Sequence, residues 1–236
     1  MISEIIERNL AAVFSDIAAA CERSGRRAQD VRLVAVTKYA RPEWISALAE
    51  FHTVFGENRP QQLCERFEWL PQIQWHLIGQ LQRNKVKMVL PAAAMIHSVD
   101  SLRLLHRIDD VARELQLKPQ ILLQVNVTGE ASKSGFTPEQ LTSQWAELVT
   151  LCASVHPAGL MTMAAESADP DDARPAFHSL AEILQELNAR QESRDAGIHL
   201  TELSMGMSGD FVPAVECGAT LVRIGSLLFE GLSEDS

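Results

Sequence analysis

The sequence predicts a single (β/α)8 barrel, the TIM-barrel form of the α/β class, with one extra helix at its N-terminus. Eight short apolar runs rich in β-branched residues alternate with amphipathic helical patterns, which is typical of the βα units of a parallel sheet. The length of 236 residues is close to the roughly 250 of such a barrel. No linker divides the chain, so we expect residues 1–236 to form one domain.

The eight apolar runs are as short as strands and are bounded by turn residues. We expect strands at 32–37, 53–56, 74–79, 95–99, 120–127, 158–163, 199–205 and 220–225. A doubly wound open sheet shows the same alternation, but neither of its usual nucleotide motifs, G-x-G-x-x-G or G-x-x-x-x-G-K-[ST], occurs in the chain. The Gly-rich turns SMGMSGD and RIGS instead follow the last two runs, where barrels collect phosphate sites. These turns favour the barrel.

Amphipathic patterns predict the helices between these strands. We expect helices at 42–50, 61–70, 82–90, 101–115, 138–154, 171–190 and 211–217. An extra helix at 3–23 precedes the first strand and places Ile5, Leu10, Val13 and Ile17 at helical spacing. We expect this helix to pack on the outer ring of the barrel or against a neighbouring subunit.

The charge and the cysteines exclude several classes of protein. With 31 acidic and 21 basic side chains the formal charge is -10, which repels nucleic acid. The four cysteines form no C-x-x-C pair, which argues against a zinc site or a disulfide framework. The N-terminus carries acids where a signal peptide has basic residues, and no apolar run approaches the ~18 residues of a membrane span. We expect a cytoplasmic protein that binds no membrane.

Lys38 ends the apolar run LVAVTK, at the face where barrels carry their active sites. A lysine at a strand end often does no more than reach solvent. An amine that is desolvated there loses its proton readily and can attack an aldehyde, which makes Lys38 a candidate for a Schiff base.

Arg223, Gly225 and Ser226 stand at the end of the last run, LVRIGS. The Arg223 guanidinium either leaves the barrel to pair with an outer carboxylate or faces a ligand, and the pattern leaves both open. Gly225 and Ser226 offer backbone N–H groups and a hydroxyl that suit phosphate oxygens, or they form a simple turn. Ser204 in LSMGMSGD either points its hydroxyl into the barrel mouth or bonds to local backbone.

Other polar residues near the strand ends have plainer interpretations. Asn58 in FGEN lies near the end of the first strand and could equally cap a helix. Asp210 is expected to cap the helix at 211–217, and His76 is interpreted as a core histidine without chemistry. In KSGF, Gly135 is expected to adopt an unusual backbone angle and Lys133 to be solvated.

Taken together, the motifs resemble one family. VAVTK, FGEN, WHLIGQLQRNK, IHSVDS, VNVTGEASKSGF, GLMTM, LSMGMSGD and VRIGSLLFEG are similar, in order and along nearly the whole chain, to the pyridoxal phosphate homeostasis protein family. The ordered set is specific although each string alone is weak. The resemblance implies a fold-type III barrel that binds pyridoxal 5'-phosphate (PLP), like the N-terminal domain of alanine racemase, with the cofactor lysine at Lys38.

The resemblance also implies roles for the other candidate residues. Arg223 should approach the pyridine nitrogen of PLP, and Asn58 should lie near the ring. Ser204, Gly225 and Ser226 should hold the phosphate. No catalytic residue and no metal ligand is assigned.

The resemblance implies a protein of intracellular vitamin B6 homeostasis. It would hold PLP as an aldimine and buffer it or deliver it to apo-PLP enzymes, as a monomer or a weak homodimer. Arginine only donates hydrogen bonds, so the ring nitrogen that it meets stays unprotonated and the electron sink is weak, although racemases of similar barrel type work with an arginine partner. A racemase of similar type also needs a second acid or base opposite the lysine, and a tyrosine fills that role there. The only tyrosine here, Tyr39, is expected to point away from Lys38 because adjacent strand residues face opposite ways, so it is poorly placed for that role.

These points favour a carrier over an enzyme. Two alternatives stay open: an amino-acid racemase or lyase of the alanine racemase type, with Lys38 as the sole base, and a barrel that binds a phosphorylated metabolite without an aldehyde.

Overall fold

Eight parallel strands close into a barrel in the computed structural model, which describes residues 1–130 and 134–233. Each strand pairs with its neighbours in the chain, and β1 pairs with β8 to complete the circle. The strands are β1 Arg32–Val36, β2 Val54–Glu57, β3 Gln74–Leu77, β4 Met95–Val99, β5 Gln120–Gln124, β6 His156–Met161, β7 Glu202–Ser204 and β8 Leu221–Ile224. They lie at the eight predicted runs, so the predicted fold class is confirmed.

Helices surround the barrel. They are α1 Ile2–Arg23, α2 Pro42–Leu48, α3 Pro60–Trp69, α4 Val86–Val89, α5 Leu102–Leu115, α6 Pro138–Ser143, α7 Trp145–Thr150, α8 Arg174–Ala189, α9 Gln191–Asp195 and α10 Phe211–Glu216. In α5 the buried residues Leu105, Ile108 and Ala112 share one face, as the amphipathic pattern requires. Ser101 caps this helix by accepting a hydrogen bond from the Leu104 N–H at 3.4 Å.

The strands are apolar on both faces because helices cover one face and the barrel interior takes the other. Val34, Met95, Leu122, Ala158 and Leu221 belong to a small apolar cluster that is separate from the main core between strands and helices. This cluster fills the barrel with side chains, as is usual for eight strands.

The N-terminal helix α1 covers the seam between the last and the first strand. It packs between α10, which precedes β8, and α2, which follows β1. Asn9 Nδ2 in α1 donates to the Leu228 carbonyl at 3.3 Å, beyond the end of β8. The predicted extra helix is confirmed, and it packs on the outer ring of its own barrel. Its buried face contains Ile6 rather than the predicted Ile5.

Three helices differ from the prediction. The predicted helix at 82–90 is a 3-10 turn, Arg83–Lys85, followed by the short α4. The predicted helix at 138–154 is divided at Gln144, and Trp145 begins α7. Trp145 is fully buried and donates from Nε1 to Ser193 Oγ at 2.9 Å, a distant contact that an amphipathic pattern cannot reveal. The predicted helix at 171–190 starts as a 3-10 turn, Pro170–Ala173, before α8.

The loop after β5 contains the glycine of KSGF. Gly135 has a φ of 129°, the unusual angle that the sequence predicts. Lys133 lies outside the described residues.

No helix within 1–130 and 134–233 has both the length and the apolar character that crossing a bilayer requires.

The packing of α1 can be tested by shortening a side chain on its buried face. Ile17 is 1% exposed, so Ile17→Ala should lower the free energy of unfolding by about 2–5 kcal/mol through lost burial and a cavity. Ser15→Ala, on the exposed face of α1, should change it by no more than about 0.5 kcal/mol. Urea unfolding followed by circular dichroism measures both, and equal stability of the two variants would contradict the packing of α1.

Candidate functional site

A cavity of about 660 Å³ opens at the carboxyl ends of the strands. Its size is in the range of small-molecule sites, and this end is where barrels bind their ligands. Five of the six predicted site residues line it, namely Lys38, Asn58, Arg223, Gly225 and Ser226. The fold therefore brings predicted residues from the first part and the last part of the chain to one cavity.

Lys38 stands on a turn just beyond β1. The strand ends at Val36, and Lys38 and Tyr39 form the turn that follows. Lys38 is exposed, and its Nζ lies 5.1 Å from the centroid of the Tyr39 ring, within cation–π distance. Within residues 1–130 and 134–233 no ion pair holds the amine, so it is free to meet a ligand in the cavity.

Tyr39 does not point away from Lys38, and that prediction was wrong. Its side chain lines the same cavity and is 82% exposed. The prediction assumed that strand alternation continues through Lys38, whereas the chain leaves the strand conformation after Val36.

A buried ion pair holds the backbone of the Lys38 turn. Glu57, the fully buried last residue of β2, pairs with Arg66 of α3. Arg66 Nη1 also donates to the Thr37 carbonyl at 2.9 Å, and Arg66 Nη2 donates to the Ala40 carbonyl at 3.5 Å. The Thr37 hydroxyl donates to Glu57 at 2.5 Å. One guanidinium therefore holds the carbonyls on both sides of Lys38.

The charge on Arg66 persists although the group is buried. Burial lowers the pKa of Arg66 to about 10, because the guanidinium loses hydration. This pKa is still well above neutral pH, so Arg66 and Glu57 remain an ion pair. Removing one partner of such a pair would leave a charge uncompensated.

Two strand-end turns form a wall rich in hydrogen-bond donors. Ser208 and Gly209 follow β7, and Gly225 and Ser226 follow β8. The Gly225 N–H donates to Ser208 Oγ at 3.3 Å and so joins the two turns. Ser226 begins a short 3-10 helix, Ser226–Phe229, and the first N–H groups of a helix have no partner within it. Such groups suit an anion of the size of a phosphate.

Arg223 extends from β8 into the barrel and is 4% exposed. Nη1 donates to Ser204 Oγ at 2.6 Å and Nη2 donates to the Thr162 carbonyl at 2.9 Å. Its Nε has no protein partner within the described residues. Burial lowers the pKa of Arg223 to about 10, and Asp210 acts in the opposite direction. Of the two orientations that the sequence leaves open, the guanidinium takes the inward one.

Ser204 contacts Arg223 but, unlike the other five predicted residues, does not line the cavity. It is fully buried beneath Arg223, and its hydroxyl also bonds to His97 Nδ1 at 2.8 Å. The position of Ser204 does not support a phosphate contact. Ser208 of the same LSMGMSGD segment lines the cavity instead, and the sequence pattern does not distinguish the two serines.

Asn58 follows β2 on the cavity wall and does not cap α3, whose N-cap is Arg59. A Cβ added at Gly79 would lie 1.9 Å from the Asn58 carbonyl oxygen, so the glycine permits this close approach. Asp210 occupies the N-cap position of α10, but its carboxylate accepts from the Met207 N–H at 2.6 Å and makes no side-chain cap.

Two histidines lie under Arg223 in the barrel interior. His76 Nδ1 and His97 Nε2 are 2.9 Å apart. Burial lowers the pKa of His76 to about 3, with Arg32 contributing, and it lowers the pKa of His97 well below its ordinary range. Both rings are neutral near pH 7. The interpretation of His76 as a hydrogen-bonded core histidine is confirmed.

Sequence reasoning missed several residues that shape the site. Ser208 carries a usable signal, since it stands in a Gly- and Ser-rich strand-end turn. Arg66 and His97 sit in ordinary helix and strand patterns and carry none. Trp44 and Phe229, which stack at 5.8 Å on the cavity wall, are likewise brought together only by the fold.

The described ranges contain no cluster of His, Cys, Asp and Glu that could hold a metal ion.

Comparisons with known proteins agree on one family. The family model described as "Alanine racemase, N-terminal domain" matches residues 9–233. A pyridoxal phosphate homeostasis protein of Aquifex aeolicus is 39% identical over 226 residues, which are 93% of this chain and 95% of that protein.

Solved structures give the same result. The structure of PipY of Synechococcus elongatus with PLP bound has a TM-score of 0.79 and 34% identity, covering 97% of this chain and 100% of that one. An alanine racemase of Clostridium difficile has a TM-score of 0.73 at 16% identity, which shows the fold alone, and this chain covers 58% of it.

The ion pair between Glu57 and Arg66 holds the Lys38 turn, so breaking it should have a large effect on stability. Arg66→Met leaves the buried Glu57 carboxylate unpaired and should lower the free energy of unfolding by about 3–5 kcal/mol. The double variant Arg66→Met with Glu57→Gln removes that charge and should recover most of the loss. Urea unfolding measures the stability of both variants. An Arg66→Met protein as stable as the wild type would contradict a stabilising role of the Glu57–Arg66 ion pair.

The neutral histidines predict a loss of stability in acid. Because the folded-state pKa of His76 is about 3 against its ordinary 6.5, the unfolded chain takes up a proton first. Stability should therefore fall as the pH drops below 6.5, by about 1.4 kcal/mol per pH unit for each such histidine. The variant His76→Leu with His97→Leu should flatten this slope in urea unfolding between about pH 6.5 and 5.

A matched control separates titration from simple damage. Ser193→Ala removes a buried hydroxyl that takes no part in the histidine contacts. It should lower stability at every pH without changing the slope. A double histidine variant that keeps the full slope would show that these rings do not cause it.

Proposed function

The chain belongs to the pyridoxal phosphate homeostasis protein family, and from this premise we propose that it binds PLP covalently through Lys38 and buffers the cofactor or delivers it to apo-PLP enzymes. The observation that carries the proposal is the convergence of three chemically different groups on one cavity. An amine, a buried guanidinium and a donor-rich double turn face the same 660 Å³ space.

The cavity fits the three functional parts of PLP. When bound, PLP supplies an aldehyde that combines reversibly with amines. Lys38 offers the amine, unpaired in the described part of the chain. Arg223 offers a donor to the ring nitrogen, and Asn58 lies on the wall that would flank the ring.

The phosphate would be held by the two joined turns. Gly225 and Ser226 contribute the start of the 3-10 helix, and Ser208 and Gly209 contribute the facing turn. We replace Ser204 by Ser208 in this role, because Ser208 lines the cavity and Ser204 does not. A net charge of -10 gives no general attraction for anions, so local donors must supply the affinity.

Arg223 also supports a carrier rather than an enzyme. It has only donors and stays protonated, so it holds an unprotonated ring nitrogen and weakens the electron sink that carbanion chemistry requires. A carrier must be able to release PLP, so its cavity should be open to solvent rather than closed. Three exposed side chains, Tyr39, Met163 and Met207, stand at the cavity with 82%, 37% and 41% of their surfaces exposed. PipY, the relative solved with PLP, supports the same cofactor.

Covalent attachment predicts a specific chemical label. Borohydride reduction of the protein with PLP, followed by peptide mass spectrometry, should place the reduced pyridoxyl group on Lys38. Lys38→Ala should lose both the label and the visible absorbance of the bound cofactor. Lys85→Ala, at the neighbouring cleft beyond Asn58, should keep both. A label on another lysine in the wild type would overturn the assignment.

The distinction between carrier and enzyme has its own measurement. The PLP-loaded protein should not exchange the α-proton of amino acids at enzyme-like rates in deuterated water. Sustained exchange that disappears in Lys38→Ala would favour a racemase or lyase.

A further inference from the structure

A chain of hydrogen bonds crosses the barrel interior beneath the cavity. It runs from Arg223 on β8 to Ser204 on β7, then to His97 on β4 and His76 on β3, over distances of 2.6, 2.8 and 2.9 Å. Because β4 and β7 are not neighbours in the barrel, the contact between His97 and Ser204 must pass through its interior. All four side chains are buried.

The direction of this chain follows from Arg223, which can only donate. The Ser204 oxygen accepts from Nη1, and among the described residues His97 Nδ1 is the one acceptor within reach of the Ser204 proton, so the hydroxyl donates to His97. His97 then carries its proton on Nε2 and donates it to His76 Nδ1. Each group has one assigned role, and both histidines are neutral.

The surrounding charges maintain this arrangement. Arg223 approaches the histidines from β8, and Arg32 influences them from β1. Both are cations, so they oppose a further positive charge on either ring. A proton added to His97 Nδ1 would leave the Ser204 proton without an acceptor among the described residues. The chain therefore stays neutral and keeps one polarity.

We propose that His97, backed by His76, is a positioning residue for Arg223. By accepting the Ser204 proton, His97 keeps the Ser204 oxygen turned toward Nη1. With Nη2 on the Thr162 carbonyl, the guanidinium is fixed at two points. Three of its five N–H donors are left over, and Nε is the nitrogen that has no partner in the described part of the chain. This inference rests on the proposed function, because the acceptor that Nε serves is the ring nitrogen of PLP.

The first experiment needs no cofactor. Nuclear magnetic resonance of the ligand-free protein with labelled histidine nitrogens should find His76 and His97 protonated on Nε2 and not titrating over roughly pH 5 to 8. Ser204→Ala should perturb the His97 Nδ1 signal most. A proton on His97 Nδ1 would overturn the assigned direction.

The second experiment uses the PLP-loaded protein and a double-mutant cycle. His97→Phe and Ser204→Ala should each speed PLP release by roughly tenfold, because Arg223 loses a fixed hydrogen bond. Each should also shift the signal of a labelled pyridine nitrogen toward the protonated form. The double variant should be no worse than the single ones, since both act through the same contact.

Matched variants separate positioning from general damage. Ser193→Ala removes a buried hydroxyl that likewise accepts one bond and donates another, far from the cavity, and should leave both readings unchanged. His97→Gln, whose amide oxygen can accept the Ser204 proton, should retain them. If His97→Phe does not fold, the rate of PLP release and the pyridine nitrogen signal are measured on Ser204→Ala alone.

The outcomes distinguish the two proposals. A wild-type protein that fails to retain PLP refutes the proposed function. A wild-type protein that retains PLP, with His97→Phe or Ser204→Ala equal to it in both readings, refutes the positioning role and leaves the proposed function intact.

Discussion

Arg223 places a cation inside the barrel, and its need for acceptors organises the layer of side chains beneath the cavity. A buried guanidinium without partners would be prohibitively unfavourable. Ser204 and the Thr162 carbonyl meet this need from two neighbouring strands. The histidines extend the network across the barrel, and the apolar cluster around Val34 and Leu122 fills the space beside it. The donors that these contacts leave unused on Arg223 give the floor of the cavity its positive, hydrogen-bond-donating character.

A second buried cation supports the end of the neighbouring strand, β1. Arg66 comes from outside the barrel and fixes the backbone of a turn, whereas Arg223 comes from inside and lines the cavity. Both depend on parallel strands that end at one face, because only this geometry brings the ends of β1, β2, β7 and β8 together. The site therefore has rigid supports on two sides and an exposed amine between them.

The apolar runs and the Gly-rich turns were sufficient to predict the barrel, and together with the family resemblance they pointed to five residues that line the cavity. Lys38, Asn58, Gly225 and Ser226 follow strands directly, so their location depends on little beyond the fold. Long-range partners could not be predicted in the same way. His97 lies in the strand MIHSV like any core residue, and its bond to Ser204 joins positions 107 residues apart.

The errors have local causes of the same kind. Tyr39 was misplaced because strand alternation was carried past the end of β1, which ends at Val36, one residue before the predicted end at 37. The break at Gln144 reflects the burial of Trp145 against Ser193, a contact between distant segments. Ser204 and Ser208 are four residues apart in the sequence. Only the path of the backbone after β7 places Ser204 in the interior and Ser208 at the cavity.

The position of α1 has a consequence for synthesis on the ribosome. Asn9 in this helix is made well before its partner Leu228, which lies 219 residues later. At about 5–20 residues per second the emerging helix waits on the order of ten seconds or more for the last strand. Throughout that interval Ile6 and Ile17 have no barrel to cover them. The nascent chain thus exposes an amphipathic helix of a kind that chaperones can bind until β8 has been made and can pair with β1.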